Sequence, residues 1–453
     1  MNVTCQVKMV GKRAGDASIL SDATLEKTLN LAREHAEAAE VYYLASQDQL
    51  VEFENNRLKS LSTRAIQGVA LRVICQGRLG FASSTDLTRL EDLIAAAVQT
   101  SESGDRTELE FATGLQLTAP KTNYRPPPTQ EFVARGERLI EQVRAYNPDI
   151  LVNIKFNIRS SSVKIATSNN VSAQRSSQIL SASLLGNLIK GEDFLKAYSH
   201  EVVRDAFPNC DRLLEELLQK YQRAELSAAI ASGSCPVLFT PTAAASTIGR
   251  LFDTILSGQT VVQKASPLVD KVGEMLFDPR LTLFEDPTIG PSACPFDDEG
   301  TLTTPKVLID SGVVKQFYWD RRSGGQASCP PSGNGFRNGL SRPQPQLVNL
   351  CLMPGQTTTA DLIAGINEGL IVDQVLGAGQ SNQLAGEFSV NLDLGYKVEK
   401  GEIVGRVKNT MVAGSIFEAF KTLVDSGSSR EWVGGRAYLP CLLFEQLGVA
   451  ARH

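Results

Sequence analysis

The first hundred residues switch between helical and strand-like patterns of apolar positions. Apolar residues recur at helical spacing from Leu25, and a second helical stripe begins at Leu87. Several short alternating runs lie between them, of which residues 68–75 are the strongest. Gln76-Gly77 predicts a hairpin turn to a returning strand at residues 78–84. This order of helix, strands and helix is typical of an α+β domain with a small antiparallel sheet.

The middle of the chain continues this mixture. A polar, proline-containing connection covers residues 102–128, and a helical pattern follows at about residues 130–145. Residues 150–158 alternate cleanly, which indicates a middle β region from about residue 146. A leucine stripe predicts a helix over residues 211–226. We assign all of these elements to the N-terminal domain.

A domain boundary is expected at residues 233–236, followed by a short buried strand and by Pro241 in the first turn of a helix. The remainder is rich in glycine, proline and β-type runs. These runs are residues 306–309, 313–319, 347–353, 370–376, 388–394 and 402–407. The sequence therefore predicts an α+β chain with three parts. They are a flexible leader at 1–20, an N-terminal α+β domain at 21–232 and a β-rich, mainly antiparallel C-terminal domain at 233–453.

Composition narrows the functional classes. The 453 residues carry a net charge of −5 with a pI near 5.5 and short basic runs, which argues against nucleic-acid binding. No apolar run is long enough for a membrane helix, and the first residues lack a signal-peptide core. Eight scattered cysteines form no CxxC pair, which favours free thiols in a reducing cytoplasm.

Histidine is scarce, with only His35, His200 and His453. Neutral imidazole is the usual zinc ligand and the usual general base near neutral pH. Three separated histidines leave little room for a His-rich metal site or a Ser-His-Asp triad. For the same reason neither Cys294 nor Cys329 is favoured as a nucleophile.

Six runs carry a resemblance to a known family. They are residues 53–60 (FENNRLKS), 68–73, 80–85, 295–300 (PFDDEG), 377–389 and 401–404. In this order they resemble the TldD/PmbA proteins, also called modulators of DNA gyrase. Because the similarity is collinear over nearly the whole chain, it is more specific than any single short motif.

The resemblance implies a proteolytic system of two related subunits. A TldD-like subunit carries a zinc-binding HExxxH helix and a cysteine ligand. A PmbA/TldE-like subunit lacks the metal site and pairs with the first. Such complexes are associated with cleavage of unfolded or leader peptides.

The position that should hold HExxxH follows the strand at residues 237–240. Here residues 241–250 read PTAAASTIGR, without histidine or glutamate, and alanine, threonine and serine cannot replace an imidazole pair. The resemblance therefore implies a non-catalytic PmbA/TldE-like subunit with no catalytic or metal-binding residues of its own. Zinc is expected only in a TldD-like partner. The chain would form a heterodimer with that partner, or a homodimer, and would bind unfolded peptide.

Two segments are candidates for a peptide-binding cleft. In the first, Phe296, Asp297 and Glu299 would shape the cleft, although three adjacent carboxylates more often cap a turn or face solvent. In the second, a Gly-rich loop would offer strand edges to an extended peptide, with simple turns as the alternative. Its candidate residues are Gly379, Ser381, Gly386, Glu387, Phe388 and Ser389.

Two other functions stay open at this level. The chain could be a self-sufficient peptidase or hydrolase with an unrecognised site. It could also regulate DNA gyrase, as the family's second name suggests, although the acidic pI and the lack of basic patches count against this.

Overall fold

The computed structural model describes residues 22–452, and the leader predicted at residues 1–20 lies outside them. Two β-sheets, of seven and eleven strands, form the framework, and helices pack on both. This confirms the α+β class, with an N-terminal antiparallel sheet and a β-rich C-terminal region. Within residues 22–452 no helix is long and apolar enough to cross a membrane.

From residue 22 onward, the N-terminal part contains the first sheet and four helices. Its strands are β1 (Ala38–Glu54), β2 (Arg57–Cys75), β3 (Arg78–Ser84), β4 (Gln116–Thr118), β5 (Leu151–Thr167), β6 (Val171–Lys190) and β7 (Asp193–Arg204). Its helices are α1 (Asp22–Arg33), α2 (Leu90–Glu102), α3 (Thr129–Tyr146) and α4 (Cys210–Arg223). The strand order is β3-β2-β1-β5-β6, with both β7 and the short β4 paired to β6.

The first two strands are much longer than their apolar pattern predicts. β1 and β2 pair from Ala38↔Ile74 to Glu54↔Arg57, and the outer half of β2 is largely exposed. Polar side chains on both faces of that outer half hide the period of two, so the sequence indicated only short strands. β1 also pairs along β5, which makes the first and middle β regions one sheet.

The C-terminal part contains the second sheet, a small separate hairpin and six short helices. Its strands are β8 (Gly233–Phe239), β9 (Leu283–Glu285), β10 (Lys306–Asp310), β11 (Val313–Val314), β12 (Gly335–Phe336), β13 (Gln344–Pro345), β14 (Leu350–Leu352), β15 (Glu368–Leu376), β16 (Glu387–Glu399), β17 (Glu402–Arg406), β18 (Thr410–Ser415), β19 (Leu423–Val433) and β20 (Ala437–Ala451). Its helices are α5 (Pro241–Ala244), α6 (Arg250–Ile255), α7 (Gly258–Val262), α8 (Arg321–Gln326), α9 (Thr359–Ala364) and α10 (Ile416–Ala419).

Five strands of the second sheet close into a ring. The order β20-β18-β16-β15-β8 is completed by pairing of β8 with β20. Phe239 packs edge-to-face on Phe388 and Phe444, with ring centroids 6.1 and 6.0 Å apart. Most pairs are antiparallel, as predicted, but β8 runs parallel to β15. The strands predicted at 313–319 and 347–353 shorten to β11 and β14. After Val314 the chain leaves the sheet, and the backbone of Tyr318 bonds Leu256 and Gly258 instead.

One hydrophobic core joins the two sheets. Val237 and Phe239 of β8 face the core of the C-terminal part, whereas Leu238 between them packs in the same core as Ile150 and Leu213. The strand is apolar on both faces, which explains why it reads as a continuous apolar run. The ring strands therefore support the helix α4 and strand β7 that border the candidate site.

Candidate functional site

The segment in the HExxxH position forms one helical stretch that contains a π turn. The Thr240 hydroxyl caps its start by accepting a hydrogen bond from Ala243 N at 3.4 Å, and Pro241 occupies the first turn. α5 then passes through the π turn at Ala245–Gly249 into α6. Such π turns are frequent at functional sites. The stretch therefore has a π turn, but residues 242–246 carry only small side chains.

A cavity of about 360 Å³ lies beside this stretch and is lined by Thr242 and Ser246. Its other walls come from β6, β7, α4 and β19. The titratable residues that line it are Tyr198, His200, Arg212, Glu216, Lys220 and Glu431. No sequence pattern connects these residues, because they come together only when β7 and β19 meet at the junction of the two sheets.

The charges in this cavity are mostly paired, and its histidine favours the neutral form. Burial lowers the pKa of His200. Burial also raises the pKa of the Glu216 carboxyl, even though Arg212 bonds it at 2.5 Å. Lys220 is held by the Asp373 carboxylate at 3.1 Å. A site of this kind suits a neutral polar ligand, such as a peptide backbone, better than a free ion.

The residues of the cavity do not fit a zinc ion. Zinc sites in proteins use at least three histidine, cysteine or carboxylate ligands. Across the described range 22–452, no three such side chains are grouped so as to hold a metal. The Ser246 hydroxyl is itself engaged, since it donates to the Thr242 carbonyl at 2.8 Å. Among the described residues, the side chains around this cavity therefore do not form a set of metal ligands.

The Gly-rich loop predicted as a cleft segment packs against α6. The Thr254 hydroxyl donates to the Gln383 side-chain oxygen at 3.1 Å. Gly379 faces Arg250, whose guanidinium would lie 3.8 Å from an added Cβ. The loop thus lies beside the helix that continues from the HExxxH position.

The six predicted residues of this loop divide by burial. Four of them are exposed or half-buried, namely Gly379, Ser381, Glu387 and Ser389. The other two, Gly386 and Phe388, are buried. The Phe388 ring belongs to the core of the C-terminal part. A peptide on the surface of the loop could contact the first four, and for them the cleft assignment stays a prediction.

The acidic segment at residues 297–299 is buried. Asp297 and Glu299 are fully buried, and Phe296 packs in a core with Tyr42. Asp297 caps its own turn, because one carboxylate oxygen accepts from the backbone N–H groups of Glu299 and Thr301 at 3.0 and 2.9 Å. The capping alternative is confirmed, whereas the solvent-facing one is wrong because β1 and β2 cover the segment. In this conformation its side chains are out of reach of a peptide in solvent.

A buried charge network links this segment to the first sheet. Arg72 bonds Glu40 at 2.5 Å and Glu299 at 2.8 Å, and Arg337 also bonds Glu40. Burial raises the pKa of Asp297 to about 8, and the neighbouring Glu299 charge adds to the effect. The two carboxyls therefore hold a proton near neutral pH, which reduces the excess of buried negative charge.

Sequence reasoning missed Glu40, Arg72 and Arg337. One signal was available, because Arg72 is the only charged residue in the apolar run 68–75. A charge inside an otherwise apolar strand requires a buried partner. The identity of that partner could not be read from the sequence, since Glu299 is more than two hundred residues away.

Two family models match this chain. The PmbA/TldA metallopeptidase C-terminal domain matches residues 232–451, and the PmbA/TldA metallopeptidase domain 1 matches residues 39–101. The C-terminal match contains β8 and the HExxxH position. The domain 1 match contains the long ribbon of β1 and β2.

Curated relatives agree with these models. An uncharacterized protein of Methanocaldococcus jannaschii is 23% identical over 93% of this chain and 98% of its own length. A metalloprotease of the same organism is 22% identical over 87% of this chain and 90% of its own length. The metalloprotease PmbA of Escherichia coli O157:H7 is 26% identical over 43% of this chain and 41% of its own length.

Solved structures share the fold. TldE from Thermococcus kodakarensis superposes with a TM-score of 0.84 at 22% identity, covering 94% of this chain and 100% of that one. A proposed modulator of a DNA gyrase from Thermotoga maritima gives a TM-score of 0.85 at 22% identity, covering 94% and 99%. At this level of identity the likeness establishes the fold alone.

Proposed function

The chain belongs to the TldD/PmbA family of metallopeptidases, and on that basis we propose that it is a non-catalytic subunit of a peptidase complex. In this proposal it resembles PmbA or TldE, binds unfolded or leader peptides, and leaves the zinc chemistry to a TldD-like partner. Where that partner is missing, the chain forms a homodimer. The compartment is the cytoplasm, as composition indicates.

One observation carries the proposal. The stretch over residues 241–255 keeps a helical shape with a π turn beside a polar cavity, yet it presents Thr242 and Ser246 there in place of metal ligands. A peptidase that relies on a metal needs three protein ligands and an open position for water or substrate. This chain retains a cavity and lacks the ligands, which fits a subunit that binds peptide without cleaving it.

The strands around the cavity support peptide binding. Within residues 22–452, β7 pairs with β6 alone, and β19 pairs with β20 alone apart from a single bridge at Gly427. Part of the outer edge of β7 is already bonded, because the Tyr198 N–H donates to the Gln374 side chain at 2.8 Å and the Tyr198 carbonyl accepts from Lys220 Nζ at 3.0 Å, so the residues beyond Tyr198 are the ones a peptide would pair with. By the period of two, the backbone groups of His200 point the same way. An extended peptide can add to such an edge largely independently of its sequence.

The test is co-expression with the TldD-like protein of the same organism. Zinc content and cleavage of an unfolded casein peptide are measured for each chain alone and for the purified pair. We expect zinc in the partner only and cleavage at least ten times faster for the pair than for either chain. Tightly bound stoichiometric zinc in this chain alone, with hydrolysis that a chelator abolishes, would refute the proposal.

A cavity-filling variant tests where the peptide binds. Ser246→Trp places a large ring in the cavity, and Ser103→Trp at the exposed end of α2 is the matched control. We expect the first variant to lower peptide affinity and the activity of the pair at least tenfold, and the second to change neither. Equal activity of both variants would move the peptide site away from this cavity.

The same experiments separate the two other functions. His200 in a cavity with two carboxylates is the feature that favours a self-sufficient hydrolase. Cleavage by this chain alone, lost in His200→Gln, would establish that function. Regulation of gyrase would instead show as salt-sensitive binding to gyrase or DNA.

A further inference from the structure

A second, larger cavity lies at the junction of the two sheets. Its volume is about 820 Å³, and it opens between the ends of β6 and β7 and the loop at residues 287–295. Trp432 separates it from the first cavity, since this residue lines the first cavity and packs against Gly290 of the second. This volume is within the range of small-molecule sites.

The wall of this cavity is rich in arginines and hydroxyls. Its polar lining residues are Ser161, Arg175, Ser176, Ser177, Arg204, Thr288, Ser292, Thr303, Gln346 and Arg436. Neither aspartate nor glutamate is among the lining residues within the described part of the chain. Three guanidinium groups and no carboxylate give the cavity a positive potential.

Among the described residues, Arg175 has a close carboxylate partner, Arg204 has a more distant one and Arg436 has none within 4 Å. Arg175 pairs with Asp298, yet its Nε has no hydrogen-bond partner within the described residues. Arg204 bonds the carbonyls of Ala293 and Ser176, and its nearest carboxylate, on Asp205, is 3.8 Å away.

Arg436 lacks any carboxylate partner within 4 Å among residues 22–452, and its guanidinium faces the Leu347 carbonyl and the Gln346 side chain. Asp253 acts on it only at longer range and does not line the cavity. Among the described residues, the buried Ser176 hydroxyl has no hydrogen-bond partner, and neither has Arg175 Nε. This wall therefore carries two donors that no described acceptor engages.

We propose that this cavity binds an oxyanion, such as a peptide carboxylate or inorganic phosphate. Guanidinium groups bind the two oxygens of such an ion in parallel, and serine hydroxyls complete the set of donors. The inference goes beyond the proposed function, because it concerns a separate cavity and does not require a peptidase partner. The neighbouring first cavity makes the acidic residues or the C-terminus of a bound peptide one natural source.

The test is direct binding to the purified full chain, without any partner. Three probes are titrated by calorimetry: an unfolded hexapeptide with glutamate residues and a free C-terminus, its neutral analogue with glutamines and a C-terminal amide, and inorganic phosphate. We expect the acidic peptide or phosphate to bind at least ten times more tightly than the neutral analogue. We also expect the affinity to fall as salt is raised from 0.02 to about 0.2 M, because screening weakens ion binding.

Variants then locate the site. Arg204→Gln and Arg436→Gln should each weaken oxyanion binding about tenfold, since each removes a charge-assisted hydrogen bond. Arg33→Gln, on the exposed end of α1, is the matched control and should change nothing. A thermal melt establishes that the variants fold. If Arg204→Gln does not fold, Arg436→Gln by itself is a sufficient test.

Each outcome decides the proposal. Binding of the acidic peptide but not phosphate identifies a peptide carboxylate as the source, and binding of phosphate alone identifies a free anion. No binding by either probe, equal binding of the neutral analogue, or unchanged affinity in folded arginine variants would overturn it. None of these results depends on zinc or on cleavage, so failure here leaves the peptidase proposal untouched.

Discussion

At the scale of single residues, Arg72 forms ion pairs with both parts of the molecule. Its side chain is 3% exposed and bonds Glu40 of the same sheet and Glu299 of the C-terminal part. Burial alone would raise the pKa of Glu40, but Arg72 and Arg337 hold it below its ordinary value. A buried ion pair adds little to stability compared with well-packed apolar residues in its place. Removal of one member, however, leaves the other charge unpaired in the interior, which is strongly destabilising.

Loss of Arg72 should therefore be severe. We expect Arg72→Met to lower the free energy of unfolding by about 3–5 kcal/mol, because Glu299 would lose its charged partner in the interior. Arg64→Met, on the exposed outer half of the same strand, is the control and should stay within about 0.5 kcal/mol of the wild type. Urea unfolding measures both. A loss below about 1 kcal/mol in Arg72→Met would contradict the role given to this network.

His200 should make stability depend on pH. Its pKa is lower in the folded protein than in the unfolded chain, so between the two values the unfolded chain binds more protons. Stability from this group is therefore complete above about pH 6.5 and is lost as the pH falls below that value. We expect His200→Gln to flatten the stability change between pH 7.5 and 5, and His35→Gln to leave it as in the wild type. Parallel pH profiles of all three proteins in urea unfolding would disprove this.

At the scale of elements, the Gln374 side chain forms hydrogen bonds to β7 of the kind that a neighbouring strand would form. Gln374 is buried in β15, where the register shifts at residues 372–374. Its amide accepts from Tyr198 N at 2.8 Å and donates to the Lys196 carbonyl at 3.2 Å. These bonds satisfy the edge of β7 where no strand pairs with it. The irregularity in β15 thus holds the two sheets in position around the first cavity.

The variant Gln374→Ala should loosen this contact. It leaves the partly buried Tyr198 N–H and Lys196 carbonyl without partners, which costs up to about 3 kcal/mol. We also expect faster hydrogen exchange at the Tyr198 amide, while Gln219→Ala on the exposed face of α4 changes neither quantity. If the Tyr198 amide stayed as protected as in the wild type, the bridging role would be wrong.

At the scale of the whole molecule, the two sheets share a core. Leu238, Ile371 and Leu443 from the second sheet pack with Ile150 and Leu213 of the N-terminal part. The charge network crosses the same junction. Neither part buries this surface by itself, so we expect the molecule to unfold as one unit.

Two probes can check this. Both tryptophans, Trp319 and Trp432, lie in the C-terminal part, and hydrogen exchange of β2 reports on the first sheet. We expect the fluorescence and exchange transitions in urea to share one midpoint. Separate midpoints would show that the predicted domains at 21–232 and 233–453 fold independently.

Local patterns predicted many elements. The helix expected at about residues 130–145 is α3, and Gln76 and Gly77 both adopt the positive φ values, 51° and 67°, that a tight hairpin requires. Prediction failed where the structure depends on distant partners. The outer half of β2 is largely exposed and has no regular apolar face, and the closed ring requires β8 to pair with strands more than one hundred residues away.

The candidate site shows the same division. The lack of metal ligands at residues 241–250 could be read directly, because ligand chemistry belongs to residue types. The neighbours of that segment could not, because His200, Glu216 and Glu431 belong to three separate elements. Residues 297–299 could be read as a turn, but their burial follows from the strands that cover them.

The sequence by itself determined the family, the class of fold and the missing metal ligands, since each depends on residue types and on their order along the chain. Only the tertiary structure decided which charges are buried together, where the two cavities lie and which strand edges lack a neighbouring strand. Those features arise from contacts between segments far apart in sequence, and the free energy of such contacts depends on positions that local patterns do not specify.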